Sequence, residues 1–167
     1  MNCYNKSLTA TVYIINNGRV LLHMHKKYKT WFPVGGHIEK DELPHEAALR
    51  EVREESGLRV CLTDYSDNSF SIGLVKRVPR PVAVYNEGDK DEDFLDFIYA
   101  AVTDESEPQA SGDESRLFRW FSPQELLDEK ENIKIHIRNT ALYCYYYSEK
   151  ISDAERVYFP ETENAYL

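Results

Sequence analysis

Glu51, Glu54 and Glu55 stand at spacings i, i+3 and i+4 in a stretch built of helix-favouring residues, and that spacing brings three carboxylates onto one stripe. Each helical residue turns about 100°, so with Glu51 at zero Glu55 falls at about 40° and Glu54 at about −60°. His45, Ala48, Leu49, Val52 and Ser56 occupy the neighbouring arc, centred at about 120°, while Arg53 and Glu46 point toward water. The acidic stripe therefore borders the expected buried face. Like charges this close raise one another's pKa and destabilise a helix unless something neutralises them. Glu55 is also in the last turn, where the helix dipole opposes a negative charge. A hard divalent cation resolves the conflict, and Mg²⁺ suits a site of few carboxylates, waters and substrate phosphates. Arg50, one turn before Glu54, could orient that carboxylate. Gly35-Gly36 would let backbone come close to the same cation, because no Cβ intervenes. Taken alone, three helical glutamates are more often a solvated acidic face.

The elements that must hold this stripe follow from local pattern. Pro44 to Ser56 is helical in pattern, with proline at the first position and Gly57 just past the end. Leu43 at the N-cap lacks a side-chain acceptor, which weakens the helix start modestly. Before the helix, Leu8 to Ile15 and Val20 to Met24 read as a hairpin around Asn16-Asn17-Gly18. His25 to Lys29 is a basic loop, and Gly35-Gly36 breaks the regularity after Trp31-Phe32-Pro33-Val34. Beyond the helix, strands are expected at Leu58 to Leu62, Phe94 to Val102 and Leu117 to Phe121. A short helix follows from Gln124 to Glu129 behind Ser122-Pro123, and a longer aromatic one covers Ile133 to Lys150. Strands and helices mix without a strict βαβ rhythm, which predicts an α/β sandwich with a mixed sheet.

The bulk properties narrow the function. A length of 167 residues suits one domain, 1–167. A formal net charge of −9 argues against a nucleic-acid partner, because gripping that backbone requires Lys and Arg to replace counterions. Small anionic substrates remain compatible, since a bound cation reverses the local field. No apolar run reaches the roughly 18 to 20 residues that span a bilayer, so no membrane partner is expected. Cys3, Cys61 and Cys144 lie far apart without metal-ligand spacing, which fits reduced thiols in the cytoplasm.

The stretch 36–58 carries more than a stripe. Gly36, five residues, Glu42, seven residues, Arg50-Glu51-Val52, one residue, Glu54-Glu55, one residue, then Gly57-Leu58 resembles the Nudix box at every defined position. A chance match is on the order of one in a billion windows at average residue frequencies. The spacing Pro33-Val34-Gly35-Gly36 departs from the commonest pattern, with one residue between the proline and the glycine pair. The resemblance implies a Nudix αβα sandwich with a mixed β-sheet between helices. It implies metal binding by Glu51, Glu54 and Glu55 with the carbonyl of Gly36, a positioning role for Arg50, and a supporting role for Glu42. It implies Mg²⁺ as cofactor, with Mn²⁺ as a substitute. The reaction implied is attack of an activated water on a phosphorus of a nucleoside diphosphate linked to another group. The general base stays open between Glu51 or Glu55 and Glu114 in the loop Gly112-Asp113-Glu114-Ser115.

Substrate handles are less specific. His25 and Lys27 lie in a basic patch just before the glycines and are candidates for phosphate contacts. Trp31, Phe32, Tyr85, Phe94, Phe97, Tyr99 and Trp120 are candidates to stack on a base, though strand aromatics more often pack in a core. Glu92-Asp93 and Asp96, near the Phe94 strand, could extend the metal site, but exposed charge is the stronger expectation for them. A nucleoside triphosphate is marginally favoured as substrate over ADP-ribose or another nucleotide sugar, and a dinucleoside polyphosphate stays open. A nucleotide-sensing module without turnover is the rival of another class, and a homodimer stays open because many relatives form one.

Overall fold

A computed structural model of the protein describes residues 7–64, 78–88, 93–109 and 117–150. β1 (Ser7–Asn16) and β2 (Arg19–Met24) form the expected hairpin. Its two-residue loop, Asn17-Gly18, takes φ of 46° and 72°, the positive values that a primed turn demands and that asparagine and glycine tolerate best. β3 (Trp31–Phe32) pairs with β2, and β4 (Val34–His37) pairs with β1. β4 runs straight through Gly35-Gly36, where sequence pattern suggests only a break. Glycine has little strand preference of its own, but both glycines are required by close approach to their neighbours and the ladder to β1 holds them extended.

α1 (Pro44–Ser56) has the predicted limits, closing on Gly57 at φ 69°. Leu43 offers no acceptor, yet the N-terminus is capped from the opposite direction: Glu46 Oε2 accepts the Leu43 N–H at 2.8 Å. The strand expected over Leu58 to Leu62 shortens to β5 (Cys61–Leu62). β6 (Ala83–Gly88), β7 (Asp93–Val102) and β8 (Phe118–Phe121) follow, then α2 (Pro123–Leu127) and α3 (Ile135–Lys150).

The strands join one mixed sheet. β1 runs parallel to β7 over nine residue pairs, from Ser7 opposite Phe94 to Ile15 opposite Val102; the remaining pairings are antiparallel. Alternation along β1 assigns its residues to two layers. Ala10, Val12 and Ile14 pack with Val34, Ala47, Ala48 and Val52 beneath α1, whereas Tyr13 and Ile15 pack with Ile137, Ala141 and Cys144 of α3. The result is the expected helix–sheet–helix sandwich. Ala47 is fully buried although it lies outside the arc predicted to face the core. It sits one turn before Glu51, so the acidic stripe is continuous with a buried position. In the tyrosine run of α3, Cys144 is buried while Tyr143 and Tyr146 face outward.

Candidate active site

The site begins with two glycines. Gly35 stands opposite Thr11 and Gly36 opposite Ala10. A Cβ on Gly35 would come within 2.5 Å of the Ala10 carbonyl oxygen, and a Cβ on Gly36 would overlap the carboxylate of Glu51. Their bare backbone forms a window in the sheet through which the C-terminal half of α1 reaches. Glu55 uses it directly: its Oε2 accepts the Gly35 N–H at 3.1 Å.

Arg50 organises the other acids. Its Nε and Nη2 donate to the two oxygens of Glu42 at 2.9 and 3.0 Å, a bidentate pairing. Its Nη1 donates to Glu51 at 2.7 Å and to Glu54 at 3.2 Å, and Nη2 also reaches the His37 carbonyl at 2.9 Å. One guanidinium thus meets three carboxylates and ties the loop 37–42 to the helix. The Arg50 hydrogen bond holds the Glu42 carboxyl below its ordinary range, helped by the Glu39 N–H and opposed by burial. The repulsion within the acidic stripe is therefore relieved in part by an internal cation. Among the described residues no three His, Cys, Asp or Glu side chains already converge as metal ligands.

The window opens into a cleft of about 800 Å³ on the α3 side of the sheet. Of the three box glutamates, Glu55 lines it, together with Gly35 and Gly36. Thr9 and Thr11 form part of its floor, and both hydroxyls donate to Asp96 of the adjacent strand, at 2.9 Å from Thr9 and 2.8 Å from Thr11. Asp96 is buried, contrary to the expectation of an exposed charge. Burial raises its pKa, against the opposing effect of the two threonine hydrogen bonds.

His25 and Lys27 both line the cleft. The imidazole of His25 packs 4.7 Å from the Tyr28 ring and 5.1 Å from that of Phe32. Its Nδ1 accepts the Tyr28 N–H at 3.3 Å, which leaves the other ring nitrogen to carry the proton in the neutral form. The Lys27 ammonium lies 5.2 Å from the Tyr28 ring centre. Of the stacking candidates, Phe32 and Phe94 line the cleft. Trp31 packs edge-on against Phe121 in the core, Tyr99 is buried, and Trp120 donates its indole N–H to the Ser106 carbonyl at 2.9 Å. Glu92 and Glu114 lie outside the described residues. Sequence reasoning missed Thr9, Thr11, Glu87, Lys134 and His136, all of them cleft-lining. The threonines carried a signal, since two hydroxyls at alternate positions in an otherwise apolar strand share one face.

The comparisons agree with this geometry. A NUDIX domain model matches residues 6–142, and the chain belongs to the Nudix family. It is a Nudix pyrophosphohydrolase, in a family that acts on nucleoside diphosphate derivatives and generally needs divalent metal ions. A crystal structure of a NUDIX-family hydrolase from Clostridium perfringens is 32% identical, with a TM-score of 0.73, covering 85% of this chain and 97% of the other. A MutT NUDIX hydrolase from Burkholderia pseudomallei shares the fold at 19% identity and a TM-score of 0.59, covering 83% of this chain and 97% of its own. The nucleoside triphosphatase NudI of Escherichia coli is 25% identical over 103 residues, 62% of this chain and 69% of that protein. Among the described residues no helix is long and apolar enough to cross a membrane.

Proposed function

We propose that this enzyme hydrolyses a nucleoside triphosphate with Mg²⁺, Mn²⁺ substituting, using a single Nudix domain over 1–167 whose box spans 36–58. The observation that carries the reading is the bare Gly35-Gly36 window, which seats Glu51 against Gly36 and brings Glu55 to the wall of a nucleotide-sized cleft. The triphosphate preference is supported by the similarity to the Escherichia coli nucleoside triphosphatase.

Glu51, Glu54, Glu55 and the Gly36 carbonyl would hold the cation. They fit a hard ion, being oxygen donors beside a backbone cradle that a Cβ would fill. When bound, that ion neutralises phosphate oxygens and acidifies the attacking water. Arg50 fixes Glu51 and, through Glu42 and the His37 carbonyl, the loop that follows Gly36. The Glu54 side chain is 60% exposed, so it can turn from Arg50 toward the ion at small cost. Glu55 is our choice for the group that accepts the water's proton, since it faces the cleft with one oxygen anchored by the Gly35 N–H; Glu51 and Glu114 are the alternatives. Lys27 contributes a phosphate contact by charge. His25 serves the phosphate through its second ring nitrogen, its Nδ1 being engaged with the Tyr28 N–H.

The test is a panel of nucleoside triphosphates, ADP-ribose, nucleotide sugars and dinucleoside polyphosphates, run with Mg²⁺, Mn²⁺ or EDTA. Metal-dependent turnover of triphosphates, lost in Glu54→Gln and Glu55→Gln, is the expected result. Preferential turnover of ADP-ribose or a nucleotide sugar would move the assignment there. Binding without turnover across the panel would make the protein a nucleotide sensor.

A further inference from the structure

Two cations of the cleft are held differently from those elsewhere in the molecule. Arg19, Arg50, Arg59, Arg80 and Arg119 each meet a carboxylate. Lys27 and Lys134, which line the cleft, stand in no ion pair among the described residues; each is set against an aromatic ring instead. Both ammonium groups lie 5.2 Å from the centre of the Tyr28 ring, so they are no more than twice that distance apart. Lys134, just before α3, also lies 5.5 Å from the centre of Phe32. His25 packs against the same two rings. Lys134 thus joins, from a distant part of the chain, the two residues proposed above for phosphate contact.

A shortage of acids does not explain this, since the chain has 29 Asp and Glu against 20 Lys and Arg. The first turn of α3 carries no acidic residue, and on Glu87 the charge of Lys134 is the weakest of the influences acting. An aromatic face attracts a cation through its quadrupole, yet it leaves the ammonium's three N–H donors open to an oxygen ligand. Tyr28 and Phe32, stacked with ring centres 5.6 Å apart, hold Lys134 in place and so lower the ordering cost of gripping an anion with a flexible side chain. Phe32 stands three positions before Gly35, at most about 10 Å along the backbone. The lysines and the glycine window are neighbours within one cleft.

We infer that Lys134, flanking Tyr28 together with Lys27, binds the free terminal phosphate of the substrate and thereby sets a preference for phosphate chains that end unesterified. This rests on the nucleotide reading above and deepens it from a class of anhydride to the form of the chain's end. A free terminal phosphate carries close to two charges and three acceptor oxygens near neutral pH. A phosphate esterified on both sides carries a single charge, so a pair of ammonium groups gains more from the free end.

Nucleoside diphosphates isolate the feature. ADP and ADP-ribose share base, ribose and diphosphate and differ in whether the last phosphate is free; UDP and UDP-glucose repeat the contrast on a pyrimidine. Dissociation constants for these four, with ATP and UTP, would be measured by calorimetry in Mg²⁺. The proteins would be Glu55→Gln, to hold the ligand intact, and Glu55→Gln combined with Lys134→Met or Lys134→Arg. Methionine keeps an apolar stem over the rings and removes the charge, whereas arginine keeps the charge. The expected result for methionine is a loss of about tenfold for the free-ended nucleotides, the scale of one charge-assisted hydrogen bond, and of less than about threefold for ADP-ribose and UDP-glucose. Arginine should restore most of the affinity, and the loss should shrink as salt rises. With Glu55 intact, Lys134→Met should raise KM for triphosphates far more than it lowers kcat. Equal losses for free and esterified ends, no loss at all, a loss that arginine does not restore, or no binding of any of the six would overturn the inference. A clasp that served the fold alone would lower the denaturation midpoint of Lys134→Met and leave the ratio of free-ended to esterified affinity unchanged. Failure of the hydrolase reading has a different signature, namely the same lysine-dependent binding with no turnover in the unaltered enzyme.

Discussion

Glu51 lies so close beneath Gly36 that the glycine's missing Cβ is what leaves room for its carboxylate. A Gly36→Ala substitution must push Glu51 aside and break its 2.7 Å bond to Arg50. We expect kcat/KM to fall by about 100-fold, the scale of an ångström-sized misplacement at a reacting centre. Gly35→Ala is the informative partner. Its Cβ would meet the Ala10 carbonyl and the Thr11 backbone, so its cost should appear in denaturant midpoints as about 1–3 kcal/mol of overpacking.

Arg50→Lys should be far from conservative. A lysine cannot reproduce the fork that holds both Glu42 oxygens while also reaching Glu51 and the His37 carbonyl. Chemical denaturation should show a loss of about 1–3 kcal/mol, the cost of leaving partly buried charged partners unsatisfied. Turnover should fall as well, because the loop following Gly36 loses its tie to the helix.

The same contact predicts a pH dependence. Arg50 lowers the folded pKa of Glu42, so the stabilisation is present above the unfolded value and disappears as pH falls through the folded one. The stability gap between wild type and Arg50→Ala should therefore be full at neutral pH and narrow below about pH 4.5, near the ordinary carboxyl value. A gap constant from neutral to acid pH would refute the coupling.

Asp96 has the opposite sign. Burial raises its folded pKa, so the fold favours the protonated form and loses stability as pH rises from the ordinary carboxyl range through that raised value. Asp96→Asn keeps the shape and removes the charge. Urea titrations should show the variant gaining on wild type as pH rises above the ordinary carboxyl value of about 4.

Thiol labelling offers a check on packing. Cys144 is fully buried and burial pushes its pKa up, whereas Cys61 is partly accessible. A thiol reagent should modify Cys144 only on unfolding, read by peptide mass after a timed pulse.

Local pattern made α1 legible to the residue, because proline, glycine and the 3.6-residue period all agree over Pro44–Ser56. The hairpin was legible for the same reason, in Asn17-Gly18. β4 was not, since glycine's role there is steric and depends on Ala10 and Glu51, residues distant in sequence. Asp96 was misread as exposed because its partners, Thr9 and Thr11, precede it by more than eighty positions. The box announced the acids, but nothing in it revealed that Arg50 would serve Glu42 as fully as Glu54. The contact of Lys134 with the Tyr28 ring was invisible for a similar reason, since the two meet only through the tertiary fold.

The two walls of the cleft also differ in how far apart their parts are spelled out. Gly35 and Glu55 are separated by 20 positions, whereas Thr9 and Asp96 are separated by 87. During synthesis the acid-bearing wall can assemble as soon as α1 has emerged, while the opposite wall waits for β7. A nascent chain ending shortly after α1 would carry the whole box and still have nowhere to seat a nucleotide. Nucleotide capture thus reports that the parallel β1–β7 pairing is complete, and a ligand added during refolding should stabilise only the finished molecule.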